Sequence, residues 1–560
     1  MGTVVLLCVL ALVLLGARLF VVVGVATMLS FILIAGEGLQ IEGLVRIVNK
    51  MENLTTKNVF LSIPFFVAAG TMMTRGGMAL RLIRVARALV GWLPGGLAIA
   101  AVLACIVFAA ISGSSPVTLV AVGTIMYPAL VESKYPERAS IGLLTTAGSL
   151  GCLVPPSIAM LIYAISVSGS AAVDPSDLFL AGLVPALGIT LMLSLYAYLV
   201  GRKLPNASEP FSFKALVESV QQGAFALALP IIVLGGIYTG QFTPTEAGAV
   251  ALAYSTIVTT VVHRDLKVQD LGAIFAESAT LIGSLILIVV LAFGLNDFLA
   301  EIEAADRMGE WLRSANLSPM MFLLVVNVAL IFLGALMDSV SATLVFAPLL
   351  APIALEVYGI DPIHFGVVFV VNMEIGYLAP PVATNLFVAA AIFRRPFGEV
   401  TVAVLPTLGM VCAALVVIMY VPTLSKGVLN LKQGQAFYES FPWNGPPGKA
   451  AAVTTTEQPA EHPKRPMTME EMMKAAEQKA AAPEQPKRPM TMEEMMKAAE
   501  QRVAAEEQAP APPPPTTPAP GKPMTMEEMM KAAQQKVAAE EAARAAEAPP
   551  PAAQPAPSTP

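Results

Sequence analysis

The chain carries the same interrupted apolar pattern twice, a pattern that a membrane-embedded fold tolerates only under narrow conditions. SSPVTLV at Ser114–Val120 is followed by GCLVPPS at Gly151–Ser157, and SVSATLV at Ser339–Val345 is followed by GYLAPPV at Gly376–Val382. One offset of 225 positions (339 less 114) pairs Ser114 with Ser339, Thr118 with Thr343, Gly151 with Gly376, Pro155 with Pro380 and Pro156 with Pro381. Leu and Val matches arise by chance in apolar sequence. Ser, Thr, Gly and a Pro-Pro pair in register across two spans indicate an internal duplication. In hydrocarbon every backbone N–H and C=O must find a partner, so such interruptions persist only where they face protein or a wet cavity. Corresponding interruptions in the two halves of a membrane chain point to the binding site of a transporter.

Composition agrees with a polytopic membrane protein, at 56% hydrophobic and only 13% charged, with a mean hydropathy of +0.70. The apolar residues lie before about position 432, and Pro, Ala, Glu, Lys and Met dominate afterwards. The net charge of −6 comes with no basic patch interleaved with aromatics, so no nucleic-acid partner is expected. Cys8, Cys105, Cys152 and Cys412 stand alone in apolar runs, without the spacing of a disulfide framework or a zinc site. No H-E-x-x-H, no G-x-S-G and no paired intramembrane Asp motif is present, so intramembrane proteolysis and metal hydrolysis have no machinery here, and a transporter rather than an enzyme is expected. His263 and His364 read as loop residues at span ends, and His462 falls in the tail. The first positive charge is Arg18, after the first apolar run, which therefore reads as a retained span rather than a cleaved leader.

Apolar runs cover roughly 3–23, 25–36, 58–74, 94–131, 139–168, 178–200, 219–240, 246–262, 277–295, 318–356, 363–392 and 398–422, against about 20 residues for a simple crossing. Runs 94–131 and 318–356 are nearly twice that length and are expected to be re-entrant hairpins with tips at Ser112-Gly113-Ser114 and Asp338-Ser339. One face then collects Arg75, Arg81, Arg84, Arg87, Lys134, Arg138, Arg202, Lys203, Lys214, Arg264, Lys267, Arg394 and Arg395. The other collects Lys50, Lys57, Arg307 and Arg313, with Arg46 unassigned, so the first face is cytoplasmic by the positive-inside rule. On this count the two hairpins enter from opposite faces, as an inverted repeat requires. MALRLIRVARALV, with Arg81, Arg84 and Arg87 three apart, is expected to lie in the interface plane as a structural arm, with a lipid-regulated role as the lesser reading. The acidic stretch Asn296 to Glu310 reads as a similar segment outside.

Hydroxyls and free carbonyls at broken helices can replace the hydration shell of an alkali cation, while half-helix N-termini favour a carboxylate. Ser112, Gly113, Ser114 and Ser115 with Pro155, Pro156 and Ser157 form one candidate ion and substrate site. Asp338, Ser339, Ser341, Gly376, Pro380, Pro381, Thr384 and Asn385 form its twin, with Asn372 and Glu374 just upstream on the same broken helix. Such a cation would be held around Ser114, Pro155, Ser339 and Pro380. Any single Ser or Gly is equally explained by close helix packing; the duplicated set is not. Asp338 could act as a helix cap. Glu374, an acid inside an apolar run, is a functional candidate by location, or it pairs with Asn372 or Arg394.

The tail repeats PMTMEEMMKAAEQ from Pro466 and Pro489, and PMTMEEMMKAAQQ from Pro523. Thr468 and Glu471 have the T-x-x-E spacing of a capping box, and Met469, Met472, Met473 and Ala476 share a helix face suited to adaptable docking. Helices this short are marginal alone, and the Pro/Ala linkers bury nothing, so the tail is expected to be disordered. It reads either as a segment that folds on a partner or as repeat expansion without function.

Five stretches in order, IPFFVAAGTMMTRGG, GWLPGGLA, AISGSSPVTLVAVGTIMYPAL, GCLVPPSIAMLIYA and LMDSVSATLVFAPLLAPIALEVYGIDPIHFGVVFVVNMEIGYLAPPVATNLFV, resemble the large membrane subunit of tripartite ATP-independent periplasmic (TRAP) transporters over roughly residues 1 to 425. The resemblance implies an all-α polytopic fold of the ion transporter superfamily, with inverted repeats, two re-entrant hairpins, two Pro-Pro broken helices and an elevator motion. It implies a multi-pass protein of the bacterial inner membrane and a sodium-driven symporter of organic acids such as C4-dicarboxylates. It also implies two partners, a small four-helix membrane subunit and a periplasmic substrate-binding protein, and no cofactor beyond the coupling ions. The expected division is 1–57 as N-terminal spans, 58–205 as the first repeat (hairpin 94–131, broken helix 139–168), 206–432 as the second (hairpin 318–356, broken helix 363–392) and 433–560 as tail. Two departures stand out. Ala379-Pro380-Pro381-Val382-Ala383 replaces the family's Thr-Pro-Pro and following Val-Gly, and Pro116 and Thr118 stand where many relatives carry Val and Asp or Ala. The alternatives are a stand-alone sodium- or proton-coupled carrier of the same superfamily, or a membrane scaffold whose tail recruits partners.

Overall fold

Helix starts are written locally in this sequence. Asp174-Pro175, Thr243-Pro244, Ser318-Pro319 and Asp361-Pro362 each place a capping oxygen on a backbone N–H of the first turn, with proline at the first helical position. Proline loses nothing there, because that N–H has no intrahelical acceptor. At Thr243 the cap is reciprocal, with Glu246 reaching back to the Thr243 N–H.

The structure is a computed structural model that describes residues 19–34, 58–168, 171, 173–204, 210–301, 303–315, 317–380 and 383–442. The described residues contain helices and no strand. In order they are α1 Leu19–Ile34, α2 Asn58–Arg75, α3 Met78–Val90, α4 Gly96–Ser112, α5 Ser115–Glu132, α6 Glu137–Ser149, α7 Ile158–Val167, α8 Pro175–Gly201 and α9 Phe213–Tyr238. There follow α10 Pro244–Ile257, α11 Val268–Glu301, α12 Ala304–Ser314, α13 Pro319–Leu336, α14 Ser339–Glu356, α15 Pro362–Gly376, α16 Thr384–Phe393, α17 Phe397–Tyr420 and α18 Thr423–Lys432. Seven of the described helices, or helices with their continuing turn, are long and apolar enough to cross a membrane.

The duplication is now visible as structure. Shifting α3 to α7 by 225 positions lands on α12 to α16, every bound agreeing within two residues. Thus α4–α5 and α13–α14 are the two hairpins, and α6–α7 and α15–α16 the two broken helices. The repeats interlock: α5 packs on α16 and α14 on α7, while α6 lies against α17 and α8 against α15. Ser149 and Glu374, 225 positions apart, are hydrogen-bonded to each other at 2.9 Å. Two equivalent residues of a duplicated unit touch only near the axis that relates the copies, so this pair marks that axis.

Length places the breaks at depth. With 13 and 10 residues, α6 and α7 reach about 20 and 15 Å at 1.5 Å per residue, short of a hydrocarbon core of about 30 Å. The same holds for α15 and α16, with 15 and 10 residues. Each pair crosses only by joining its halves inside the membrane.

Ion pairs between elements sort the loops into two sets. Arg75–Glu277, Arg81–Asp265 and Arg395–Glu137 join residues of the face expected to be cytoplasmic. Lys426 with Asp361 and Glu439, and Lys432 with Asp177, join residues of the other. Burial alone would lower the pKa of Lys426, but the Asp361 and Glu439 carboxylates outweigh it and hold the ammonium above its ordinary value.

Several expected boundaries move. The break between the runs 3–23 and 25–36 does not exist, since α1 is continuous across Gly24. Run 277–295 is part of a 34-residue helix, α11. Asn296 to Glu301 belong to that helix, and the interfacial segment begins only at Ala304. His364 is not a loop residue: it is 2% exposed, with Nδ1 2.7 Å from Ser425 Oγ and Nε2 3.2 Å from the Met419 carbonyl. The polar tail does not start at 433, because Glu439 bonds Lys426, Asn430 and Thr423, and Phe441 packs edge-on against Tyr420. The three tail repeats, the first apolar run up to residue 18 and residues 35–57 lie outside the described residues.

Candidate functional site

At the first tip α4 ends on Gly113, whose φ of +58° turns the chain back, and Ser114 opens α5. Thr118 Oγ1 donates to the Ser114 carbonyl at 2.8 Å, so the proton between Ser112 Oγ and Thr118 Oγ1, also 2.8 Å apart, comes from Ser112. The Gly113 carbonyl accepts from the Ile158 N–H at 3.2 Å, which fixes the tip level with the break. The approach leaves no space: a Cβ on Gly113 would meet the Pro156 carbonyl oxygen at 2.5 Å, and one on Gly151 would meet Ser114 at 2.7 Å. Ser157 caps α7 by accepting from the Met160 N–H and donates to the Cys152 carbonyl. The residues expected at the first site, Ser112, Gly113, Ser114, Ser115, Pro155, Pro156 and Ser157, are therefore gathered at one place, and Pro155, Pro156 and Ser157 are buried.

The second tip is closed differently. Asp338 caps α14, accepting from the Ser341 N–H at 3.0 Å and from Ser341 Oγ at 2.7 Å. Ser339 Oγ lies 2.8 Å from the Tyr377 hydroxyl, which ties tip to break through side chains. Thr343 donates to the Ser339 carbonyl at 2.6 Å, repeating the Thr118 bond of the first tip. Gly376 faces Gly334 on α13 with no room for a Cβ. Pro380 is exposed and Thr384 half-buried, while Pro381 lies outside the described residues. Ala383 holds a left-handed φ of +43°, at the position where the sequence departs from the family's glycine.

Bonds across the repeats complete the site. Asn385 Nδ2 donates to Ser115 Oγ at 2.6 Å, joining break two to hairpin one. Ser149 Oγ has one proton and two oxygens within reach, the Thr146 carbonyl at 2.7 Å and Glu374 Oε1 at 2.9 Å. Glu374 Oε2 is buried with no hydrogen-bond partner among the described residues. Glu374 thus pairs with neither Asn372 nor Arg394. Asn372 bonds Asn327 and the Val368 carbonyl rather than tip or break. Sequence reading missed Ser149, Tyr377, Asn327 and Thr146, the last bonded to Thr407 of the other repeat at 2.7 Å. Only Ser149 had a signal, as the 225-offset equivalent of Glu374.

At each site two helix N-termini and two C-termini converge on one spot. At the first, α5 and α7 begin where α4 and the short turn Leu150–Cys152 end. Aligned peptide dipoles leave the N-termini partly positive and the C-termini partly negative, so one site offers N–H groups to an anion and carbonyls with hydroxyls to a cation. Among the described residues no group of three or more His, Cys, Asp or Glu side chains could hold a metal ion. An alkali ion at the first tip would have to rely on backbone and hydroxyl oxygens, while at the second the Asp338 carboxylate stands beside them.

Comparison with known proteins agrees with this architecture. Residues 6–424 match the family described as Tripartite ATP-independent periplasmic transporter, DctM component. A C4-dicarboxylate TRAP transporter large permease protein DctM from Pseudomonas aeruginosa is 44% identical over 372 residues, 66% of this chain and 86% of that one. Its counterpart from Rhodobacter capsulatus is 40% identical over 382 residues, covering 66% and 87%. Among solved structures, the Alcanivorax borkumensis YdaH transporter, of unusual topology, is similar at a TM-score of 0.51 and 15% identity, covering 72% of this chain and 91% of that one, a likeness of fold alone. The chain belongs to the DctM family of TRAP large permease components: it is a multi-pass transporter subunit of the inner membrane and not an enzyme.

Proposed function

We propose that the chain carries an organic anion inward together with sodium, using the two tip-and-break sites as halves of one binding region. The observation that supports this most is the convergence of opposite helix ends at each break, which suits a carboxylate and an alkali cation side by side. In this reading Ser112, Ser114, Ser115 and the carbonyls around Pro155 serve one ion, and Asp338, Ser339, Thr384 and the carbonyls around Pro380 serve the other. Two relatives named for C4-dicarboxylates are 44% and 40% identical, so a C4-dicarboxylate is the first substrate to test; isethionate and ectoine appear in the names of relatives that are 36% and 32% identical. A small membrane subunit and a soluble binding protein complete the transporter, the latter setting the choice of substrate.

The test is uptake by the full chain co-reconstituted with its small subunit, with succinate-loaded binding protein outside. Uptake driven by an inward sodium gradient, and not by potassium or a proton gradient, is expected. Equal uptake without sodium would overturn the coupling, and uptake without any binding protein would overturn the tripartite arrangement.

A further inference from the structure

Protons can be counted at the axis that relates the two repeats. Ser149 Oγ has a single proton, and two oxygens lie within its reach, the Thr146 carbonyl at 2.7 Å and Glu374 Oε1 at 2.9 Å. Were Glu374 a carboxylate, both oxygens could only accept, and one would go without. Glu374 Oε2 has no hydrogen-bond partner among the described residues either, and the residue is fully buried. A buried charge held by at most one hydrogen bond is far costlier than a neutral group in the same place.

Among the described residues no positive charge stands ready to offset such a charge. The basic side chains on α15, and on the elements that pack against it or bond to it, are His364, Lys426, Lys432 and Arg138. Lys426 is held by Asp361 and Glu439, and Lys432 by Asp177. His364 precedes Glu374 by ten positions, about 15 Å along the helix, and bonds Ser425 and the Met419 carbonyl. Arg138 is exposed and precedes Ser149 on α6 by eleven, about 16 Å. The acids on these elements, Glu137, Asp177, Glu356 and Glu399, each sit in the first or last turn of their helix. The titratable group set against Glu374 is the Cys152 thiol, which supplies no positive charge. Tyr377 turns its hydroxyl to Ser339, and Tyr163 donates to the Pro362 carbonyl. The backbone works in the same direction: α6 ends at Ser149 and α15 at Gly376, so two partly negative helix ends converge on this carboxyl.

We propose that Glu374 is a proton-binding site: it holds a proton on Oε1 and donates it to Ser149 Oγ, which donates its own proton to the Thr146 carbonyl. Each proton then has one acceptor, and the oxygen left unpaired is an uncharged carbonyl. Duplication sets equivalent positions face to face at an axis, and this chain fills them with an acid and a hydroxyl, so that one donates and the other accepts. The proton holds the first broken helix against the second. Glu374 is thus a positioning residue and not a cation ligand. The inference holds whichever ion drives transport.

It is tested by infrared difference spectroscopy of the full-length protein in an ester-free detergent, comparing the unaltered protein with Glu374→Gln. The expected difference is the loss of one protonated-carboxyl band, which in the unaltered protein stays in place when sodium replaces potassium. Loss of a carboxylate band instead would overturn the proposal. So would a carboxyl band that sodium abolishes, since the site would then hold a cation. The glutamine amide keeps a donor toward Ser149, so Glu374→Gln is expected to melt as the unaltered protein does, and Glu374→Leu, similar in size but without a donor, to melt lower; equal melting of the two variants would count against a shared proton. If Glu374→Gln fails to fold, Ser149→Ala gives a second reading. It removes the acceptor, so the carboxyl band should persist and move to higher frequency, and an unmoved or missing band would overturn the proposal.

Discussion

The two tips occupy equivalent places in the duplicated fold and are closed by different chemistry. At the first, backbone meets backbone: the Gly113 carbonyl takes the Ile158 N–H, and every residue from 151 to 160 is buried. At the second, Asp338 stands in the place of Gly113, a side-chain bond from Ser339 to Tyr377 makes the closure, and Pro380 is exposed. A backbone closure cannot be repacked by a rotamer change, whereas a side-chain closure can. The first half is therefore built as the rigid jaw and the second as the adaptable one.

That contrast can be broken by substitution. Gly113→Ala adds a Cβ against the Pro156 oxygen at a positive φ, and on the order of 3 kcal/mol of destabilisation is expected from overlap and left-handed strain combined. Thermal melting in detergent should show it as a large drop, with uptake at background; a melting point like that of the unaltered protein would refute a rigid first jaw. Ser115→Ala removes the acceptor of Asn385 Nδ2, a buried amide, and should cost about 2 kcal/mol. A double-mutant cycle with Asn385→Ala should show coupling above about 1 kcal/mol, while simple additivity would mean the halves are not joined there. At the second tip Asp338→Ala loses a cap and should cost only about 1 kcal/mol. If it costs as much as Gly113→Ala, the two tips are equally rigid. Smallest of all, Ala383→Gly should relieve the left-handed backbone and stabilise by less than about 1 kcal/mol, because glycine also gains freedom in the unfolded chain. A destabilisation would show that the alanine methyl is needed for packing.

Much of this was legible before any coordinates. Ser, Gly and Pro are costly in hydrocarbon, so their recurrence at one offset pointed to both tips and both breaks, and in the structure Gly113 meets Pro156 and Ile158 while Ser114 meets Gly151. What could not be read was which apolar face meets which. Glu374 has Asn372 close by in sequence and Arg394 a short way beyond its break, yet its partner is Ser149, because the axis of the repeat and not sequence proximity decides the contact. Asn372 likewise finds Asn327 on another helix. Buried helices with apolar residues all round carry no periodic signal that names a neighbour. The left-handed backbone of Ala383 was equally silent; only the substituted glycine hinted at it.

The interlocked packing has a consequence for how the protein is made. Contacts that seal the site join residues 225, 261 and 270 positions apart. A chain entering the membrane from its N-terminus presents Gly151 to Ser157 long before α14 or α16 has been synthesised. During that interval the first break has no second repeat against it, and water, lipid headgroups or an insertion factor must satisfy its backbone. The contacts that seal the site are therefore complete only once α16 and α17 have both arrived.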